Sequence, residues 1–258
     1  MIDPRAVIQE GAEIHPTAEV GAYAVVGPNV KVGAGTVIGP HAVIEGWTTI
    51  GEDCRIFSHA AVGFPPQDLK YKGERTTLTI GDRTMVREFA SVHIGTEGGG
   101  GATSVGSDCL LMACSHVAHD CTLGDHVILA NAATLAGHVI VHDWVIVGGL
   151  TAVHQFARLG EHSMIGGCSA VPMDVPPYVT ASGNRAKLYG LNTVGLKRRG
   201  FDDDSVKALK RAYRVLFQSE EPMVDLVEQV KQTEEYRHSP EVRKLVEFIE
   251  KSERGVTR

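Results

Sequence analysis

The sequence predicts a left-handed parallel β-helix built from hexapeptides, followed by an α-helical segment. Three observations carry the prediction. A branched apolar residue recurs every six positions from residue 2 onward. The fifth residue of each six is small. After about residue 184 the period of six gives way to a helical one.

The repeat runs IDPRAV, IQEGAE, IHPTAE, VGAYAV and on to VGFPPQ, resumes with IGDRTM, VREFAS and VHIGTE, and continues from VGSDCL at 105 to VPMDVP ending at 176. All 26 hexads open with Ile, Val or Leu, and in 25 the fifth residue is Ala, Ser, Thr, Val or Cys, Pro66 being the exception. In a hexapeptide prism the first residue points inward and the fifth fills a tight inner corner. Three hexads close one triangular coil of 18 residues, and prisms of this repeat class wind left-handed. Residues 18 apart therefore stack about one strand spacing apart, ~4.8 Å. Two stretches break the pattern, DLKYKGERTTLT at 68–79 and GGGGATS at 98–104, and both are expected to leave the prism as external loops. The prism is assigned to residues 1–184.

Residues 185–258 are expected to be helical. FDDDSVKALKRAYRVLFQSEE has acids near its start and apolar residues at 206, 209, 213, 216 and 217. SPEVRKLVEFIEKS offers Ser239 as an N-cap and Pro240 in the first turn. Such a domain would also cover the exposed end of the prism.

Composition narrows the function. The 258 residues carry a net charge of −6, which argues against wholesale nucleic-acid binding. Five cysteines without a CxxC pair fit a reduced, cytosolic protein. MIDPRAVIQEGAEI lacks the basic start and apolar run of a signal peptide. No apolar stretch approaches the ~18 residues of a membrane span.

A prism is a scaffold and hosts acyltransferases and metal-dependent hydratases alike, so the site must decide. Of the 12 histidines, His15, His41, His59 and His238 read as surface residues. His93, His116, His119, His138 and His154 fall in the same few coils. Counting 18 from His119 gives Gly137, and 18 more gives Gln155; Asp120 falls under His138. An outward histidine with a glycine stacked above it suits acyl transfer. The imidazole is a base near neutral pH, the glycine N–H is open to an oxyanion, and Asp120 could fix the ring tautomer. A metal site would need three converging histidines. His93, His116 and His119 are the candidates, but they occupy different hexad positions and point differently. No metal and no resident cofactor are expected. The segment RAKLYGLNTVGLKRR, 185–199, is basic without an acid. It is either a solvated face or a contact for a diphosphate or an acidic carrier protein.

The chain resembles bacterial UDP-N-acetylglucosamine O-acyltransferases, the family that opens lipid A biosynthesis. The resemblance rests on MIDPRA, QDLKY (67–71), IGDRTMVRE (80–88), HIGT (93–96), LLMACSHVAHDC (110–121), LAGHV (135–139), GGLTAVHQF (148–156), DVPPYV (174–179) and GLKRRGF (195–201). It implies transfer of an (R)-3-hydroxyacyl chain from acyl carrier protein to the 3-position of UDP-N-acetylglucosamine by a cytoplasmic homotrimer. By the same resemblance His119 matches the general base and Gly137 the oxyanion glycine. Gln67, Asp68, Lys70, His93, His116, His138, His154 and Gln155 match substrate-lining positions. Asn192, Arg198 and Arg199 match the uridine and phosphate region, and Gly167 matches the position that limits acyl length. Val194 departs from the family's frequent Glu and cannot make a carboxylate's contact. A later N-acyltransferase of the same pathway carries a large N-terminal domain; here hexads begin at residue 2. A metal-dependent hydratase, or an acyltransferase for another nucleotide sugar, is the alternative. Acyl length and a 3-hydroxyl or 3-amino acceptor stay open.

Overall fold

The computed structural model describes residues 1–258. Short parallel strands stack into three sheets that form the faces of a left-handed triangular prism. The first face runs from Val7–Ile8 to Ala170–Val171, the second from Glu13–Ile14 to Arg158–Leu159, and the third from Glu19–Val20 to Met164–Ile165. Registers such as Leu110↔Ile128 and His116↔Thr134 advance by 18 residues, as the repeat predicts. Each two-residue strand joins an outward sixth residue to the inward first residue of the next hexad. The inward set, including Ile38, Ile56, Leu111, Leu129, Leu135 and Ile165, is sealed in one core.

The corners explain the rest of the hexad. From Tyr23 to Cys168, the fourth residue adopts a left-handed φ of 53–65° wherever a non-glycine residue is recorded with positive φ. Branching at Cβ is strained there, and none of these residues is Val, Ile or Thr. The fourth-place N–H then donates to the third-place carbonyl one coil earlier, as in His138 N–H to His119 O (3.0 Å) and Phe156 N–H to Gly137 O (3.2 Å).

Three expected boundaries move. Thr77–Ile80 is a strand between Trp47–Ile50 and Ala102–Val105, so the first loop ends before Thr77 rather than at 79. The TLTI alternation buries Leu78 and Ile80, which holds the segment in the second face. Ala102–Val105 joins the same face by burying Thr103 and Val105, and the second loop contracts around the turn at Glu97–Gly99. Finally, Lys187–Leu191 is not helical. It turns back after Gly183 and pairs antiparallel with Val179–Ser182, closing the third face.

Helices follow at Thr193–Arg198 (α1), Asp203–Phe217 (α2), Met223–Lys231 (α3), Glu234–His238 (α4) and Pro240–Glu250 (α5). Asp202 caps α2 through Ser205 N–H, and Ser239 caps α5 with Pro240 in its first turn, as expected. Their apolar faces meet in a second core around Leu209, Leu216, Leu226, Val230, Leu245 and Ile249, with Tyr178 of the last coil inside it. Arg158 ties α5 to the prism. It donates to Phe248 O (2.6 Å) and Lys251 O (2.9 Å), and its Nε lies 3.2 Å from the buried Asp174 carboxylate.

Candidate active site

His119 and Asp120 occupy the third and fourth places of a corner between the first and second faces. Gly137 and His138 stand one coil above, and Gln155 and Phe156 above those. A Cβ added to Gly137 would lie 2.6 Å from His119 Cε1 and 2.8 Å from Nε2, so the ring rests against the bare glycine backbone. The 18-residue count placed this pair correctly.

The Gly137 N–H has no acceptor in the chain. The neighbouring edge shows why that is unusual. There, third-place amides are taken by an aspartate one coil higher: Ser107 N–H donates to Asp125 Oδ1 (2.7 Å) and Asp125 N–H to Asp143 Oδ1 (2.9 Å). Above Gly137 the equivalent residue is Gln155, which makes no such bond. The amide is left open beside the imidazole.

Asp120 holds the ring. Its Oδ2 lies 2.8 Å from His119 Nδ1, so the donor there is Nδ1–H and Nε2 keeps its lone pair. The carboxylate is buried and fixed from behind by Thr96, whose N–H donates to Oδ1 (2.8 Å) and whose hydroxyl donates to Oδ2 (2.6 Å). His138 approaches the same Oδ2 at 3.8 Å and stacks on Phe156, with ring centroids 4.4 Å apart. Below, His93 and His116 meet edge to face at 4.8 Å, and His116 Nδ1 bonds the Ser91 hydroxyl at 2.8 Å. Burial, with a smaller effect of His116 and then His119, pushes the His93 imidazole down to about 4. Burial also lowers His116 and His138. Burial thus favours the neutral form of all three rings beside the His119 corner.

The two loops wall a cleft of about 870 Å³ over this corner. Asp68, Lys70, Glu74, Glu97, His138 and Phe156 are among its lining residues. Asp68 accepts the Lys70 N–H at 2.9 Å, a turn that presents both side chains. Gln67 is exposed beside them. His154 stands apart on a second depression with Arg254, whose guanidinium lies 3.2 Å from His154 Nδ1.

Other expected residues lie on other edges. Gly167 is at the corner between the third and first faces, packed over Gly149 O. Asn192, Arg198 and Arg199 belong with the corner between the second and third faces. Asn192 is buried as the α1 N-cap, donating to His162 O (3.0 Å) and accepting Gly195 N–H (3.1 Å). Arg199 leans on His162 and the Trp144 ring, while Arg198 is exposed. One chain does not bring these residues to His119. Nor do His93, His116 and His119 form the tightest potential ligand set; that is His119, Asp120 and His138. Thr96 was missed. It lies in the block HIGT, but the phase break after that block makes the Thr96–Asp120 separation 24 rather than 18.

Comparison with known proteins agrees with this architecture. The family described as "Udp N-acetylglucosamine O-acyltransferase; Domain 2" matches residues 174–257, and "Bacterial transferase hexapeptide (six repeats)" matches 11–46 and 102–137. The acyl-(acyl-carrier-protein)–UDP-N-acetylglucosamine O-acyltransferase of Myxococcus xanthus is 54% identical, covering 100% of this chain and 99% of its own. That of Paraburkholderia phymatum is 49% identical, with coverage of 100% and 99%. The solved UDP-N-acetylglucosamine O-acyltransferase of Moraxella catarrhalis superposes with a TM-score of 0.96 at 42% identity, covering 100% of this chain and 99% of that one.

Proposed function

The chain belongs to the acyl-(acyl-carrier-protein)–UDP-N-acetylglucosamine O-acyltransferase family, and from that premise we propose that His119 is the base of its acyl transfer and Gly137 N–H its oxyanion donor. The reaction moves an acyl chain from acyl carrier protein to UDP-N-acetylglucosamine, the opening step of lipid A biosynthesis. The observation that carries the residue roles is the contact of His119 Nε2 with a glycine whose amide is unpaired.

The steps follow from that geometry. Nε2 removes the proton from the acceptor's 3-position oxygen as this oxygen attacks the thioester carbonyl. The carbonyl oxygen takes up negative charge beside the Gly137 N–H. Asp120 accepts the Nδ1–H bond and stabilises the imidazolium. Collapse breaks the carbon–sulfur bond, and the thiolate of the carrier recovers the proton from Nε2. Asp68 and Lys70 are suited to the sugar and its phosphates, with Gln67, His93, His116, His138 and Gln155 around the His119 corner, while His154, on the second depression with Arg254, would meet only a substrate that extends there. No resident cofactor enters this scheme, since the carrier's pantetheine arm brings the thioester. The (R)-3-hydroxyl of the acyl chain and a cytoplasmic site of action are part of the same reading. No helix is long and apolar enough to cross a membrane.

A homotrimer completes the site. Base, acyl-limiting Gly167 and the cationic Asn192–Arg199 group occupy three different edges of one prism. Grooves between adjacent prisms would join an edge of one subunit to an edge of the next.

The test is transfer from acyl carrier protein thioesters of several lengths to UDP-N-acetylglucosamine. His119→Ala should lower kcat by roughly 10²–10⁴-fold, the size expected for a positioned base. Transfer near the wild-type rate by that variant would overturn the assignment.

A further inference from the structure

His119, Asp120 and His138 present one ligand atom each within 4.8 Å of one another. His119 Nδ1 is 2.8 Å and His138 Nδ1 3.8 Å from the same Asp120 Oδ2. Tetrahedral ligands about 2.0–2.1 Å from a zinc-sized ion are ~3.3 Å apart, so these separations bracket what such an ion requires.

The supporting groups are those a metal centre uses. A ligating carboxylate is normally held by hydrogen bonds from behind, and Thr96 supplies two. The His138 ring is braced by Phe156 at an interplanar angle of 8°. The cleft above carries Asp68, Glu74 and Glu97 alongside Lys70 and Lys72 and leaves room for a water as fourth ligand. Two imidazoles and one carboxylate suit Zn²⁺, Co²⁺, Ni²⁺ or Cu²⁺ rather than Mg²⁺ or Ca²⁺.

We propose that His119, Asp120 and His138 form an inhibitory site for a divalent transition-metal ion. The ion takes the Nδ1 lone pair of each imidazole and Oδ2 of Asp120. His119 bonds Asp120 through Nδ1–H in the working enzyme. Metal on Nδ1 requires that proton to sit on Nε2 instead, and the ring remains neutral. Nε2 then donates rather than accepts, and it faces Gly137 with no lone pair for a hydroxyl proton. The inhibitory consequence rests on His119 being the base; the binding site does not.

Titration of metal-free enzyme with Co²⁺ tests it, because a tetrahedral N,O site gives visible d–d absorption. The expected result is about one ion per chain, a loss of acyl transfer along the same titration curve, and recovery on adding chelator. In His138→Gln and Asp120→Asn, shown folded by circular dichroism, the band should vanish. Thr96→Val keeps all three ligands and should weaken binding roughly 10-fold. Undiminished Co²⁺ affinity and spectrum in both His138→Gln and Asp120→Asn would overturn the site. So would thiolate charge-transfer absorption placing the ion on the exposed Cys114 or Cys168. Full occupancy without inhibition would overturn the inhibitory role. If His119→Ala still transfers acyl chains while the band depends on these residues, the site stands and the base assignment falls.

Discussion

Gly137→Ala isolates the contact on which the chemistry depends. The new Cβ would stand 2.6 Å from His119 Cε1 and 2.8 Å from Nε2. Carbon atoms rest ~3.5–4.0 Å apart, so the ring must retreat by roughly 1 Å. It cannot do so freely, because Nδ1 is tethered to Asp120 and Asp120 to Thr96. Gly137 is not among the residues with positive φ, so alanine fits the backbone and the unfolded chain loses some freedom. Overpacking against the tethered ring, partly offset by that entropic gain, should cost about 1–3 kcal/mol of global stability. Displacing a catalytic group by ~1 Å costs about 10²-fold. A kcat reduced roughly 10²-fold, with the urea midpoint lowered but the chain still cooperatively folded, is the expected outcome. Steady-state transfer assays and chemical denaturation on the same preparation provide both numbers. A kcat within threefold of wild type would refute the claim that packing of His119 against this glycine sets the base in place.

Three further outcomes are expected. His93 is neutral in the folded chain down to about pH 4, whereas an unfolded histidine protonates near 6.5. The unfolded state therefore binds more protons in that window, and stability falls as pH is lowered through it, by on the order of 3 kcal/mol in all. His93→Gln should flatten the urea-midpoint profile between pH 6.5 and 4; an unchanged slope would show that other groups set it. Arg158→Ala removes the donor to Phe248 O in α5 and to Lys251 O just past its end, and leaves the buried Asp174 without its cation. A loss of about 3 kcal/mol is expected by denaturant unfolding, and a loss below 1 kcal/mol would assign the junction to the helical core instead. Arg75 sits 3.7 Å over the Trp47 ring and anchors the end of the loop that carries Asp68 and Lys70. Losing about 1 kcal/mol of cation–π attraction in Arg75→Ala should raise KM for UDP-N-acetylglucosamine roughly fivefold with kcat nearly constant. An unchanged KM would show that the loop holds its position without this anchor.

The period of six was legible because burial enforces it. Inward first residues and small fifth residues cannot be exchanged for polar or bulky ones without opening the core. Stacking by 18 then follows, and it found Gly137 over His119 and Asp120 near His138. The same counting failed at the phase breaks. Thr96 lies before the second break, so 18 residues back from Asp120 falls on Ala102. Residues 77–79 and 187–191 depart from the expected loop and helix for a related reason. Each is a strand fixed by its neighbours, Trp47–Ile50 and Val179–Ser182, rather than by its own hexad. Successive hexads advance around the triangle, so their order modulo three assigns His119 and Gly167 to different edges. That separation bears on the assembly. A base edge that lacks the cationic group in its own chain gains it only if another prism lies alongside. The homotrimer proposed above rests on that separation, since its shared groove would join edges that one chain keeps apart.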